Sequence, residues 1–119
     1  MFGRIDFSLR YQVNDHDIQE SLVISHGISS FPTIIYTAKL IKGKEVLREF
    51  SGKVKCYKIK VDDITPETIP RHIPNIIEFA RVELNFCPIA WGNHQWSKAG
   101  NNYRCELCGA FRTEGGMPL

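Results

Sequence analysis

Ile5, Phe7, Leu9, Tyr11 and Val13 alternate with Arg4, Asp6, Ser8, Arg10 and Gln12, an unbroken period of two that predicts a half-buried strand. Asn14-Asp15-His16-Asp17 then supplies turn or N-cap chemistry. Residues 18–26 fit either of two elements: a helix with Ile18, Leu22 and Val23 on one face, or a short strand over residues 20–25. Gly27 ends the element in both cases, and Ser29-Ser30-Phe31-Pro32 leads into residues 33–41, where Ile34, Tyr36, Ala38 and Leu40 alternate again.

Lys42-Gly43-Lys44 reads as a hairpin turn, residues 46–50 as its return strand and Ser51-Gly52 as another turn. A further strand is expected over residues 54–61, with a bulge where its apolar phase slips between Cys56 and Tyr57. Thr65 as N-cap, Pro66 at the first helical position and Glu67 in the first turn mark a helix start. Pro70 and Pro74 shorten that helix, because proline lacks an amide hydrogen and disfavours helical geometry in the residue before it. The continuous helix is therefore expected over residues 74–84, with Ile73, Ile76, Ile77, Ala80 and Leu84 forming the stripe that packs on the sheet.

These elements predict an α+β fold: an antiparallel meander of four or five strands with one C-terminal helix packed on it. A small module of different composition is expected after the helix. The expected division is a sheet-and-helix domain over residues 1–85 and a tail module over residues 86–119.

The chain has 119 residues, of which 43% are apolar and 24% charged, enough for one compact domain and not for a second full one. No run approaches the roughly 18 consecutive apolar residues that a membrane span needs. Residues 1–10 alternate charged and apolar positions and lack the apolar core of a signal peptide, so a reducing, cytoplasmic setting without membrane contact is expected. Charge is unevenly spread. Residues 39–60 carry eight basic side chains (Lys39, Lys42, Lys44, Arg48, Lys53, Lys55, Lys58 and Lys60) against Glu45 and Glu49. Such a segment can meet a phosphate backbone or an acidic protein surface. It can equally be a solvated lysine face that protects a strand edge from aggregation.

From Cys87 onward the composition shifts to Cys, Trp, Gly, Asn and Arg, without apolar periodicity long enough to bury a face. Cys87, His94, Cys105 and Cys108 supply a different way to hold such a tail. Two thiolates separated by two residues chelate one metal from a tight turn, and Gly109 tolerates the backbone that such a turn requires. Three cysteines and a histidine complete a tetrahedral zinc site with no open position, which points to structure and not to hydrolysis. Alternatives include two disulfides, a redox dithiol at Cys105 and Cys108, His72 or Cys56 in place of His94, and iron in place of zinc. Trp91, Trp96, Tyr103 and Phe111 surround these residues as a miniature core. Interleaved with Lys98, Arg104 and Arg112, the same aromatics could stack on unpaired bases.

His94-Gln95-Trp96 and Tyr103-Arg104-Cys105-Glu106-Leu107-Cys108-Gly109 make residues 87–112 similar to the zinc-ribbon or zinc-finger-like tails of small bacterial and phage proteins. That resemblance implies a structural metal and names no partner. Separately, Phe2-Gly3-Arg4-Ile5-Asp6, the segment Ile28-Ser29-Ser30-Phe31-Pro32-Thr33-Ile34-Ile35, Gly43-Lys44-Glu45-Val46 and Glu49-Phe50-Ser51-Gly52 resemble the later half of thioredoxin-like domains. It implies an incomplete α/β fold in which Pro32 corresponds to the family's cis-proline, without the family's first strand and dithiol helix.

No nucleophile and base constellation, phosphate-binding glycine loop or carboxylate pair is recognisable. The expected role is a non-enzymatic zinc protein that binds a macromolecule, with a protein partner ranked first. Lys39, Lys42, Lys44, Lys53, Lys55, Lys58, Trp96, Tyr103 and Arg104 are the candidate contact residues. Nucleic-acid binding through the same residues and a thioredoxin-like redox role are the alternatives.

Overall fold

A computed structural model describes residues 3–26, 32–56, 67 and 69–113. Four strands, β1 (Gly3–Val13), β2 (His16–His26), β3 (Thr33–Lys42) and β4 (Glu45–Lys55), form one antiparallel sheet in chain order. Helix α1 (Ile69–Glu83) packs on one face of it. A second antiparallel sheet comes next, built from β5 (Trp96–Ala99), β6 (Asn102–Cys105) and β7 (Phe111–Thr113).

Two-residue turns fix the register of the first sheet. Asn14 and Asp15 both have positive φ, 51° and 67°, the pair that a type I′ hairpin needs and that Asn and Asp tolerate best after glycine. Gly43, at φ 63°, plays the corresponding part between β3 and β4.

The buried face carries Leu22, Ile24, Ile34, Tyr36 and Ala38 from the sheet and Ile73, Ile76, Ile77 and Ala80 from the helix. Burying each of the larger side chains contributes about 1.5–3 kcal/mol. The helical stripe is the expected one, with Leu84 just beyond the helix packed at its edge.

Several local expectations change. Residues 18–26 are strand, not helix: Ile18, Glu20, Leu22 and Ile24 are all buried, and the alternation was obscured because a carboxylate sits among its apolar positions. Ser51-Gly52 is not a turn, since β4 runs unbroken through both and Gly52 faces Tyr36. The glycine is there for close approach: a Cβ on Gly52 would lie 2.6 Å from a Leu84 methyl. Gly52→Val is therefore expected to destabilise the fold by about 1–3 kcal/mol in denaturant unfolding. Unchanged stability would mean that Leu84 has room to move away.

The helix begins at Ile69, five residues earlier than expected, with Pro74 inside it. Pro70 falls in the first turn, where amides lack intrahelical acceptors in any case, and Pro74 removes one bond close to the helix start. A bulge occurs where pairing passes from Leu40 opposite Arg48 to Ile41 opposite Val46, leaving Leu47 as the extra residue. The expected slip at Tyr57, the strand beyond Cys56, Lys58, and Thr65 with Pro66 as helix start lie outside the described residues. All paired strands among the described residues are antiparallel, so the sheet is the meander and not the thioredoxin-like α/β alternative. Among the same residues no helix is long and apolar enough to cross a membrane.

Candidate metal centre

Helix α1 ends in a way that prepares the site. Asn85 adopts positive φ, 51°, its N–H bonds the Val82 carbonyl at 3.1 Å, and the Phe86 N–H bonds the Arg81 carbonyl at 2.9 Å. This is the Schellman arrangement, which turns the chain sharply out of the helix. Phe86 then stacks on Phe50 with ring centroids 4.0 Å apart, so Cys87 emerges beside the sheet's core.

Cys87, His94, Cys105 and Cys108 converge with their ligand atoms all within 4.8 Å of one another. Cys87 Sγ and Cys105 Sγ are 3.9 Å apart, and Cys108 Sγ is 3.4 Å from His94 Nδ1. Cys87 and Cys105 are fully buried against Val82 and Ala110, with Ile89 and Trp96 at the margin. The four residues are thus placed to hold one metal ion. Cys56 is buried in the sheet's core and His72 is half-buried on α1; neither belongs to the cluster.

Each ligand is positioned by a specific contact. The Ala90 N–H points at Cys87 Sγ at 3.5 Å. His94 Nε2 lies 3.0 Å from the Arg81 carbonyl, which can only accept. The ring must therefore carry its proton on Nε2, leaving the Nδ1 lone pair facing the sulfurs. Gly109, at φ 79°, closes the turn after Cys108, and its N–H bonds the Cys105 carbonyl at 2.9 Å.

Electrostatics point the same way. Burial raises the Cys105 thiol, but the backbone N–H groups of Cys108 and Leu107, helped by His94, outweigh it and hold the group down at about 6. Burial, together with the Cys87 and Cys105 sulfurs, pushes Cys108 up to about 12. One thiolate is well supported and further ones repel it. A divalent cation would let all three sulfurs ionise together.

The residues that tie this centre to the first sheet went unnoticed in the sequence. Arg81 Nε donates to Glu20 Oε2 at 2.8 Å and its Nη2 pairs with the other carboxylate oxygen. Tyr36 and Tyr11 hydroxyls donate to the same carboxylate at 2.5 and 2.7 Å. Arg81 Nη1 also reaches the Cys108 carbonyl at 3.4 Å. Burial raises the Glu20 carboxyl, but the hydrogen bonds and charge of Arg81 prevail and hold it below its ordinary range. Burial and the adjacent Glu20 charge push both tyrosines up, so they remain donors. The signal available in the sequence was a charged residue, Glu20, in the apolar phase of Ile18, Leu22 and Ile24.

The expected contact residues separate into two groups. Lys39, Lys53 and Lys55 lie on the sheet face opposite α1, with Lys39 3.6 Å from Glu49, while Lys42 and Lys44 flank the exposed β3–β4 turn. Trp96 and Tyr103 instead flank the Arg112 guanidinium at 4.6 and 4.9 Å from their centroids. Arg104 stacks on Phe111 and donates to the Gly109 carbonyl at 2.9 Å, bracing the metal-side turn. Comparison of the chain with protein-family models, curated proteins and solved structures finds no match.

Proposed function

We propose that Cys87, His94, Cys105 and Cys108 hold one structural zinc ion in a zinc-ribbon-like module, and that the protein binds another protein without catalysis of its own. The carrying observation is the spacing of the donors. Tetrahedral zinc, with Zn–S of about 2.3 Å and Zn–N of about 2.0 Å, separates two sulfurs by about 3.8 Å and sulfur from nitrogen by about 3.5 Å. Two of the six donor separations, 3.9 and 3.4 Å, match these edges, and all four donor atoms lie within 4.8 Å of one another. All four positions of such an ion are filled by protein, so no site is left for water or substrate. A reducing, cytoplasmic compartment suits three thiols kept in this state.

Metal analysis of the purified intact protein, paired with thiol counting, tests the first half. One zinc per chain is expected, with the three cluster thiols unreactive until chelator is added. Iron in equal stoichiometry would replace zinc, and thiols that react without chelator would favour the redox dithiol instead.

Lys39, Lys53 and Lys55 on one face, with Lys42 and Lys44 at its turn, support an acidic protein surface as the partner's contact, in an adaptor, inhibitor or assembly role. Trp96 and Tyr103 are engaged with Arg112, which disfavours the base-stacking reading. Affinity capture at modest salt should recover a stable protein partner that Lys53→Glu/Lys55→Glu loses. Binding to single-stranded oligonucleotide that weakens steeply with salt, without any protein partner, would reverse the ranking.

A further inference from the structure

The backbone around Cys87 repeats the backbone around Cys105. Cys87 N–H bonds the Gly92 carbonyl at 2.7 Å, and Cys105 N–H bonds the Ala110 carbonyl at 2.8 Å, five residues on in both cases. Four residues after each cysteine the chain takes positive φ, 53° at Trp91 and 79° at Gly109. Three residues after Cys87 the Ala90 N–H is directed at that cysteine's sulfur, at 3.5 Å. Residues 87–92 and 105–110 therefore follow one turn plan, with a single difference: the Cys87 carbonyl accepts from Gly92, five residues on, and the Cys105 carbonyl from Gly109, four residues on.

In the second copy the residue three after the first cysteine is Cys108, a ligand. In the first copy that position is Ala90. We infer that residue 90 is a vacated ligand position, and that His94, four residues further along, has taken over its coordination. This rests on the zinc reading above. Two features of the first turn fit a relocation. Trp91 stands where the second turn has glycine, and a bulky residue at positive φ is strained by about 1–3 kcal/mol unless packing holds it. It is held by an edge-on contact with Phe86, centroids 5.0 Å apart, so that turn has become an anchor to the sheet's core. His94, unlike residue 90, is bonded to the Arg81 carbonyl. The move makes the end of α1 part of the metal's surroundings, and it exchanges a thiolate for a neutral imidazole. Ala90 itself is exposed, so position 90 is open to a cysteine without replacing a core side chain.

A thiol at position 90 should therefore be able to take the metal back. Zinc affinity by chelator competition, and the absorption of the cobalt-loaded protein, are measured for the wild type, His94→Ala, and Ala90→Cys/His94→Ala, each as the intact chain. His94→Ala should weaken zinc by about tenfold or more, since removing a ligand costs at least what removing its outer partner does. The double variant should recover most of that loss, with sulfur-to-cobalt charge-transfer intensity raised above the wild type. A double variant no tighter than His94→Ala, with no added sulfur absorption, overturns the inference. Should the double variant fail to fold, Ala90→Cys alone decides the matter: its cobalt-loaded form should show more sulfur-to-cobalt charge-transfer absorption than the wild type, because the introduced thiolate displaces the neutral imidazole of His94. A spectrum identical to the wild type's overturns it. Failure of the wild type to bind zinc would strike the underlying metal reading instead, so the two failures are distinguishable.

Discussion

Chelation of zinc from the intact protein should unfold residues 87–113 while most of the four-stranded sheet survives. The second sheet has strands of only four, four and three residues, and its buried apolar cluster is four residues of which two are ligands. An isolated sheet of that size is marginal in water. Structural zinc contributes about 10–16 kcal/mol of apparent binding energy at neutral pH, more than the cluster's own packing supplies. The chain's two tryptophans, Trp91 and Trp96, both lie in this region, so their fluorescence reports on it and, through the contact of Trp91 with Phe86, on its seat against the first sheet. Emission should shift to the red on chelation and return on adding zinc, with amide exchange in β5 to β7 rising in parallel. Emission and exchange that do not change after the metal is shown to be gone would refute a zinc-dependent module.

The second large effect belongs to Glu20. Its side chain is wholly buried and accepts from Arg81, Tyr36 and Tyr11. Glu20→Ala strands the Arg81 guanidinium, at 14% exposure, and removes the acceptor of two hydroxyls. Breaking one side of such a pair costs about 3–5 kcal/mol, a large share of a small domain's stability. Denaturant unfolding should show it directly. Glu20→Leu/Arg81→Leu should recover part of the loss, because it removes both charges together. A loss no larger than about 1 kcal/mol would place the pair with ordinary surface salt bridges.

The same carboxylate gives a pH signature. Its folded pKa is depressed, so its stabilisation is present above the unfolded value of about 4.3 and disappears as pH falls through the lower folded value. Wild type and Glu20→Gln, both measured in chelator, should differ by a constant amount at neutral pH and converge only in the acid range below about 4.

Some of this architecture can be read directly from residue order. β1 is visible because nothing interrupts its alternation, and the ligands are visible because Cys105 and Cys108 share one turn where apolar periodicity has stopped. β2 was ambiguous because Glu20 occupies an apolar position, and what makes that acceptable is a set of partners on other elements, Tyr11, Tyr36 and, 61 residues away, Arg81. Gly52 carries the usual mark of a turn, yet the constraint on it is a leucine from beyond the helix. The place of His94 was legible and its mode of attachment was not. That attachment uses the Arg81 carbonyl as a shared acceptor, for the Phe86 N–H in the helix-end turn as well as for His94, a backbone detail with no spacing rule.

The strands of the first sheet lie side by side in the order in which a ribosome would release them. Hairpins of this kind close in about 1–10 μs. Synthesis at about 5–20 residues per second needs about 1–5 s to proceed from Lys55, the end of β4, to Arg81. For those seconds the apolar face has no helix to cover it. A charged carboxylate in its middle would keep that face hydrated until the guanidinium arrives to neutralise it.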